Sequence, residues 1–493
     1  YAILPFDNAL VTLEVSGAEL RQLIDHGINS PDFRSGQFYG IEVWYDKTAP
    51  YKERVATIKL SDGTMVQDDE MYSVSTLDFI FTGGDKYDFS KAEDVVETYL
   101  PVRDLISEAI KEMEVIDFTF EQNLHELLRI DYLSLNDLHG TVDDKTSSSN
   151  PGMARVATFI KDRMAMNAHT YLVSAGDQYQ GSSISNLTYG DVVNEILAHL
   201  GMLTSAVGNH EFDWGADHIV RWAKEGDFPF VASNIEVTDA AKPAEWDTYV
   251  KPYYIQEITV DEQTFKIGFI GIATPETAFK TAAEHVQGFT FTDPAEATNK
   301  WEKVLREEGV DVVLALTHLG AFQNEEGVIS GEIVDYANKI SVDGIFAGHT
   351  HQVVNGRVND IPIVQGQYNG RSISLLSLNF DMTEEGYVYS HVTSEVFNLR
   401  NMKADLAEDP AVKAIIDEYY VVLGPILDEV IGSIEIDLPH NTDDMEVTPM
   451  GQFVAKTMAE VGGTQIGIIN GGGIRGGFEA GDITMGTMYA ILP

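Results

Sequence analysis

"YLVSAGDQYQGS" (Tyr171–Ser182) sets a short apolar run directly against a polar, glycine-bounded loop. A run of this length closed by glycine reads as a buried strand. Gly176 lets the chain turn sharply, so that Asp177 is delivered at the strand's carboxyl end. The same grammar recurs in "KIGFIGI" (Lys266–Ile272), "DVVLAL" (Asp311–Leu316) and "VDGIFA" (Val342–Ala347). Helical segments such as "DVVNEILAHLG" (Asp191–Gly201) lie between them. Alternating strands and helices predict a layered α/β unit.

Five polar clusters follow apolar runs in this unit: "NDLHG" (Asn136–Gly140), "GDQYQGS" (Gly176–Ser182), "GNHEFD" (Gly208–Asp213), "THLG" (Thr317–Gly320) and "GHTHQ" (Gly348–Gln352). Open α/β sheets bind ligands at the carboxyl ends of their strands. Asp137 and His139 are two residues apart, as are His349 and His351, so a strand-like exit points both members of each pair the same way. Carboxylate, carboxamide and imidazole donors without thiolate suit Zn, Mn, Fe or Co ions. Two such ions about 3.5–4 Å apart clamp an in-line phosphoryl displacement. Read alone, "GDQ" or "THLG" is more often a turn than a ligand. All five in order, each after a strand, are not explained by chance.

Composition narrows the classes. The 493 residues suggest roughly three domains. A hydrophobic content of 44% is enough to bury a real core. The formal charge of -46, from 32 basic and 78 acidic residues, repels nucleic-acid polymers. It is compatible with export or with a salty habitat. No apolar stretch of about 20 residues predicts a membrane span, and no secretory leader is evident. With zero cysteines, disulfides and thiolate metal sites are excluded.

Outside the α/β unit the texture changes. Residues 1–123 carry strands and turns: "ALVTLEVSG" (Ala9–Gly17), "GIEVWYD" (Gly40–Asp46), "ATIKLSDG" (Ala56–Gly63) and "MYSVSTLDF" (Met71–Phe79). Residues 433–493 share that texture. Residues 407–431 read as a linker helix after an Asp-Pro start. Hydrophilic Glu121–Glu126 is the expected junction between the first unit and the α/β unit. "YAILP" occurs at both Tyr1–Pro5 and Tyr489–Pro493. Two copies of one strand compete for one slot, with Tyr1–Pro5 the expected occupant because Phe6 follows it directly. The spare copy offers a route to oligomers.

The ordered clusters resemble the calcineurin-type metallophosphoesterase domain of the 5'-nucleotidases, a group that includes UDP-sugar hydrolases and 2',3'-cyclic-nucleotide phosphodiesterases. "NGGGIR" (Asn470–Arg475), "LPFDN" (Leu4–Asn8) and "TLDFIFTGGD" (Thr76–Asp85) resemble the same family's C-terminal substrate domain. The resemblance covers nearly the whole chain. It implies a four-layer α/β-β-α metal domain at 128–400, a linker helix at 401–431, and a smaller α+β substrate domain built from 432–493 and 1–123. In the family the "NGGGIR" part runs on into the "LPF" part. Here the two are split, so the order is circularly permuted. An engineered permutant, a piece of a tandem array and a natural permuted protein all fit.

The resemblance implies that Asp137, His139 and His351 hold one divalent ion, Asn209, His318 and His349 a second, and Asp177 both. The activity implied is two-metal hydrolysis of nucleotide phosphate esters, 5'-nucleotidase leading, with cyclic-nucleotide phosphodiesterase or UDP-sugar hydrolase behind it. A non-catalytic nucleotide-binding surface module is the contrasting class. His210 is placed to stabilise phosphoryl charge and protonate the leaving group, with Asp213 orienting it; the alternative is a structural histidine. Phe6 and Phe79 match the rings that sandwich a nucleobase, although each alone suits a core. Asp85 matches a ribose ligand, and Asn8 and Gly36 fall near the base edge, while Asp78 stands where relatives often carry Asn. Asn470 and Arg475 form an expected phosphate clamp; a plain glycine loop is the alternative there. Asp443 and Asp444 stand where relatives carry positive charge, which weakens the case for a dianionic 5'-monophosphate. The family's setting implies an extracellular, periplasmic or cell-surface location.

Overall fold

Strands of the predicted grammar form, and each polar cluster sits at a strand's carboxyl end. The computed structural model describes residues 6–28, 36–47, 49–113, 115, 116, 120, 122–145, 147–441 and 446–492. Two compact units emerge: Tyr1–Leu128 with Asn379–Ser390, and Arg129–Leu378 with His391–Pro493.

In the first unit, strand Ala9–Ser16 lies between antiparallel Met71–Leu77 and Glu93–Pro101. Its alternation buries Val11, Leu13 and Val15 on one face. Ser16 then starts helix Gly17–Gly27 through a capping box with Glu19. Strands Val55–Leu60, Ile41–Tyr45 and Leu124–Glu126 form a second sheet. Asp25 is buried, and its carboxylate accepts from the backbone N–H groups of Lys52, Arg54 and Val55 and from the Arg54 guanidinium. That full set of partners offsets the cost of burying its charge.

The second unit holds two large sheets. In the seven-stranded sheet, Arg129–Leu135, Thr170–Ser174, Met202–Ala206 and Phe230–Val231 run parallel in that order. In the six-stranded sheet, Gln263–Ile272, Val312–Gly320, Gly344–Gly348 and Ile361–Gln365 do the same. Tyr132 of the first sheet meets Phe269 of the second edge-on at 5.0 Å and donates its hydroxyl to Gln256 Oε1 at 2.8 Å. Helices Met153–Met166, Asp191–His199 and Asp217–Gly226 cover the outer face of the first sheet. Helices Pro294–Glu307 and Glu332–Ala337 cover that of the second. The expected order helix, sheet, sheet, helix results.

Asp409 caps helix Pro410–Leu427, accepting from the N–H groups of Ala411 and Val412, and Pro410 occupies the first turn. Val412, Ile416, Leu423 and Leu427 are buried in the same core as Val156 and Ile196, so the expected linker helix is packed along its length.

The strand-and-turn texture expected of 433–493 is corrected. Among the described residues the strands there amount to one short antiparallel pair, Val430–Ile434 against Gly481–Thr484, with a helix between them in sequence. Thr448 caps helix Pro449–Gly462, whose apolar residues Met450 and Val454 are buried with Ile474 and Phe478. The strand expected at Tyr489–Pro493 is corrected too: Thr484 caps helix Met485–Ile491, and buried Ile491 joins that same cluster. Tyr1–Pro5, Asp443 and Asp444 lie outside the described residues.

Candidate metal centre

Five residues of the cleft leave their strands in the left-handed region: Asp137 (φ 49°), His139 (50°), Asp177 (57°), His349 (75°) and His351 (59°). Asp137 and His139 therefore converge through left-handed turns and not through the strand-like alternation expected from their spacing. Non-glycine residues pay strain to adopt this conformation, and such strain gathers at functional sites. His318 departs from expectation as well: it lies inside strand Val312–Gly320, fully buried.

The ligand atoms of Asp137, His139 and His351 lie within 4.8 Å of one another, as do those of Asp177, His318 and His349, and those of His139, Asp177 and His210. Asp177 thus belongs to two of the three clusters. Asn209, also predicted, is 2% exposed, and its Oδ1 has no hydrogen-bond partner among the described residues. Among the described residues His318 Nε2 likewise makes no bond of hydrogen-bond geometry, although it lies 2.8 Å from Asp177 Oδ2. Close approach without hydrogen-bond geometry is what two donors aimed at one cation show. His318 Nδ1 faces the Ala175 carbonyl at 2.8 Å and His139 Nδ1 that of Gln180 at 3.0 Å. Each contact leaves Nε2 for the cleft. His139 Nε2 and His351 Nε2 face each other at 3.0 Å. Two buried carboxylates, four imidazoles and an orphaned carboxamide oxygen fit divalent ions of the Zn, Mn or Co type.

The electrostatics follow from crowding charges in a dry place. Burial pushes the Asp137 carboxyl up, but the bond to His351 and the charges of His351 and His318 outweigh it and hold it at about 2. Burial pulls His318 down, yet Asp177 and Asp137 overcome that and raise it to about 10. Burial and the neighbouring His351 and His210 rings press His139 down to about 3.

His210 Nδ1 lies 2.6 Å from Asp213 Oδ2, and the His210 backbone N–H donates to Asp177 Oδ1 at 2.8 Å. Burial lowers the His210 pKa, but Asp177 and Asp213 more than reverse this and leave it raised. Its ring stands edge-on to His139 at 5.1 Å.

Two residues were not predicted. Glu211 is fully buried and accepts from the backbone N–H groups of Asp177, Gln178 and Gly208 at 2.9, 2.8 and 2.7 Å. It ties two ligand loops together. Burial, then the Asp177 charge, raises its carboxyl to about 7 against those N–H groups. Glu276 Oε2 accepts from His349 Nε2 at 3.0 Å, which leaves Nδ1 of that ring for the cleft. Glu211 was readable as an acid inside "GNHEFD"; Glu276 carried no local signal.

His139 and His351 open into a cavity of about 970 Å³ that Arg475 also lines. Asn470 precedes the short turn Gly471–Gly473 and is not among the lining residues. The remaining predicted residues belong to the first unit. Phe6 and Phe79 are 72% and 48% exposed, which rules out core packing for both. The Asp85 carbonyl accepts from His26 Nε2 at 2.8 Å. The Gly36 N–H donates to the Gly27 carbonyl at 2.9 Å, and Asn8 is half-buried with its carbonyl accepting from Val102.

A model of calcineurin-like phosphoesterases matches residues 132–353, and one of the 5'-nucleotidase C-terminal domain matches residues 1–92 and 430–493. The chain is 32% identical over 394 residues to Endonuclease YhcR of Bacillus subtilis (strain 168), covering 75% of this chain and 31% of that protein. It is 29% identical over 261 residues to a 2',3'-cyclic-nucleotide 2'-phosphodiesterase/3'-nucleotidase of Salmonella typhimurium, covering 48% of this chain and 40% of that protein. The chain therefore spans less than half the length of either relative. The crystal structure of a 5'-nucleotidase precursor from Thermus thermophilus superposes with a TM-score of 0.61 at 25% identity, covering 74% of each chain. The donor clusters lie within one of the matched stretches and the other two stretches flank it, so the chain belongs to the calcineurin-like metallophosphoesterases that carry a 5'-nucleotidase C-terminal domain.

Proposed function

We propose that the chain hydrolyses phosphate esters of nucleotides with two divalent cations, releasing nucleoside and phosphate in the manner of a 5'-nucleotidase. The carrying observation is the convergence of Asp137, His139, Asp177, His318, His349 and His351 in one cleft edged by the His210–Asp213 pair. Asp137, His139 and His351 would hold one cation, Asn209, His318 and His349 the other, and Asp177 both. When bound, the cations polarise the phosphoryl group and lower the pKa of the attacking water.

The protein's own groups do the rest. Asp213 holds the His210 ring in one tautomer and favours its charged form. A protonated His210 then donates to the leaving oxygen and stabilises charge on the phosphoryl group. Arg475, at the cavity wall, suits the remaining phosphoryl oxygens through its forked guanidinium. Asn470, Asn8, Gly36 and Asp85 complete the substrate contacts on this reading, and the exposed Phe6 and Phe79 rings receive the base.

A 2',3'-cyclic-nucleotide phosphodiesterase or UDP-sugar hydrolase is the second reading, favoured by the scarcity of cations in 432–493. We read the two matched C-terminal stretches as halves of one domain in permuted order, supported by a single domain model matching both. A location outside the cytoplasm accords with the acidic surface. No helix among the described residues is long and apolar enough to cross a membrane. The deciding experiment is turnover of AMP, 2',3'-cyclic AMP, UDP-glucose and bis-p-nitrophenyl phosphate by Mn²⁺-loaded protein. Hydrolysis of AMP above the others supports the first reading. Cleavage of the aryl diester alone overturns nucleotide specificity.

A further inference from the structure

In a chain of formal charge -46, the cavity beside His139 and His351 is lined by three cations, Lys145, Arg371 and Arg475. None has a carboxylate within ion-pair distance among the described residues. The lining carboxylates, Asp428, Glu479 and Asp482, all come from the C-terminal stretch. The wall that carries the histidines contributes Lys145 and Arg371 and no acid.

Arg371 is held as a receptor would be. Its Nε donates to Oδ1 of Asn150 at 2.8 Å, and Asn150 is fully buried. Its guanidinium lies 4.2 Å from the centre of the Tyr368 ring, and Tyr368 stacks on His351 at 4.9 Å. Neither η nitrogen bonds a described residue. One edge is pinned and one face is covered, while the other edge is left open beside a candidate metal ligand. A planar fork fixed in this way matches a phosphoryl group two oxygens at a time, with little ordering entropy left to lose.

We infer that Arg371 anchors a second anion subsite, which takes a phosphoryl group of the substrate other than the one cleaved. The inference rests on the phosphohydrolase reading above and narrows it. Nucleotides with two linked phosphoryl groups, free diphosphates or diphosphate-linked sugars, are the class that fills both subsites at once, whereas a monophosphate fills only the one beside the candidate metal ligands.

The test measures binding and not turnover, so it stands apart from the nucleotide panel. Unmodified protein and Arg371→Gln are titrated calorimetrically with methylenediphosphonate and with methylphosphonate at one buffered free Mn²⁺ concentration. The unmodified protein is expected to prefer the diphosphonate at least tenfold. Arg371→Gln should cut that preference to threefold or less, with methylphosphonate affinity within twofold of the original. Arg371→Lys, which keeps stem and charge but loses the fork, should fall between and guards against a folding defect in the first variant. No preference in the unmodified protein, full preference in either variant, or equal loss for both ligands overturns the subsite.

Discussion

His210 Nδ1 and Asp213 Oδ2 stand 2.6 Å apart, three residues from each other at the mouth of the cleft. Their turn begins at Asn209, so the pair is mounted on the loop that delivers a candidate ligand. His210→Ala removes an acid that lies outside the proposed set of seven metal donors. Turnover should fall about 10²-fold or more, as expected for general acid catalysis, while elemental analysis finds the same metal content. Asp213→Asn should lower turnover less and leave KM near its original value. Unchanged turnover in His210→Ala would take the residue out of the mechanism.

Glu211 makes a sharper test of how the site is built. Its two oxygens serve three backbone N–H groups on two loops. Glu211→Gln keeps the shape but turns one acceptor into a donor that faces N–H groups. The Asp177 loop then loses its anchor, and metal affinity should weaken roughly 10- to 100-fold, as for other groups that orient ligands. Titration with Mn²⁺ followed by calorimetry reads this directly. Native-like affinity would show that the loops hold themselves.

The site was legible in the sequence because its donors sit in short clusters behind strands, and Asp177 or His349 needs only local order to be found. Asp137 and His139 meet through left-handed backbone, which no spacing rule conveys. Glu276 was missed because its partner His349 lies 73 residues away. Helix Pro449–Gly462 starts at Thr448-Pro449 as helix Pro410–Leu427 starts at Asp409-Pro410, a local signal that the strand-like texture of its neighbours hides. The second "YAILP" reads as a strand by composition, yet burying Ile491 against Met450 and Phe478 decides for helix.

Metal content is the next quantity to measure. Metal-replete protein should carry two equivalents of divalent cation, and Asp177→Asn, which alters the carboxylate that belongs to two clusters, should carry one or fewer. Chelation should also lower thermal stability. Withdrawing a cation present at about 100 times its Kd costs the folded state about 2.7 kcal/mol per site. A melting temperature indifferent to chelator, with less than one equivalent bound, would remove the metal centre.

Asp409 gives a pH-dependent prediction away from the cleft. Its carboxylate caps helix Pro410–Leu427 and accepts from Lys161 Nζ at 2.6 Å. Burial pushes its pKa up, but the Lys161 bond and the Val412 N–H outweigh this and leave it lowered. A lowered folded pKa means that the stabilisation is present above the unfolded value, near about 3.9, and is lost as pH falls through the folded one. Asp409→Ala should cost about 0.5–2 kcal/mol at pH 7. Thermal melts should show the gap to unmodified protein narrowing below pH 4. A gap constant down to pH 3 would mean that the charge contributes nothing.

The aromatic pair in the first unit carries the last prediction. Phe6 and Phe79 are 72% and 48% exposed. An exposed ring contributes little to folding, so replacing either by alanine should change stability by no more than about 0.5 kcal/mol. Stacking of a base on an aromatic side chain is worth about 1–3 kcal/mol by alanine substitution, which is roughly a 5- to 150-fold effect on binding. Phe79→Ala and Phe6→Ala should therefore each raise KM for AMP within that range and leave kcat nearly unchanged. Ribose 5-phosphate has the same ester without a base, so its kinetics should be untouched by either change. Equal effects on both substrates would assign the rings to positioning the sugar-phosphate, and no effect on AMP would take them out of the substrate site.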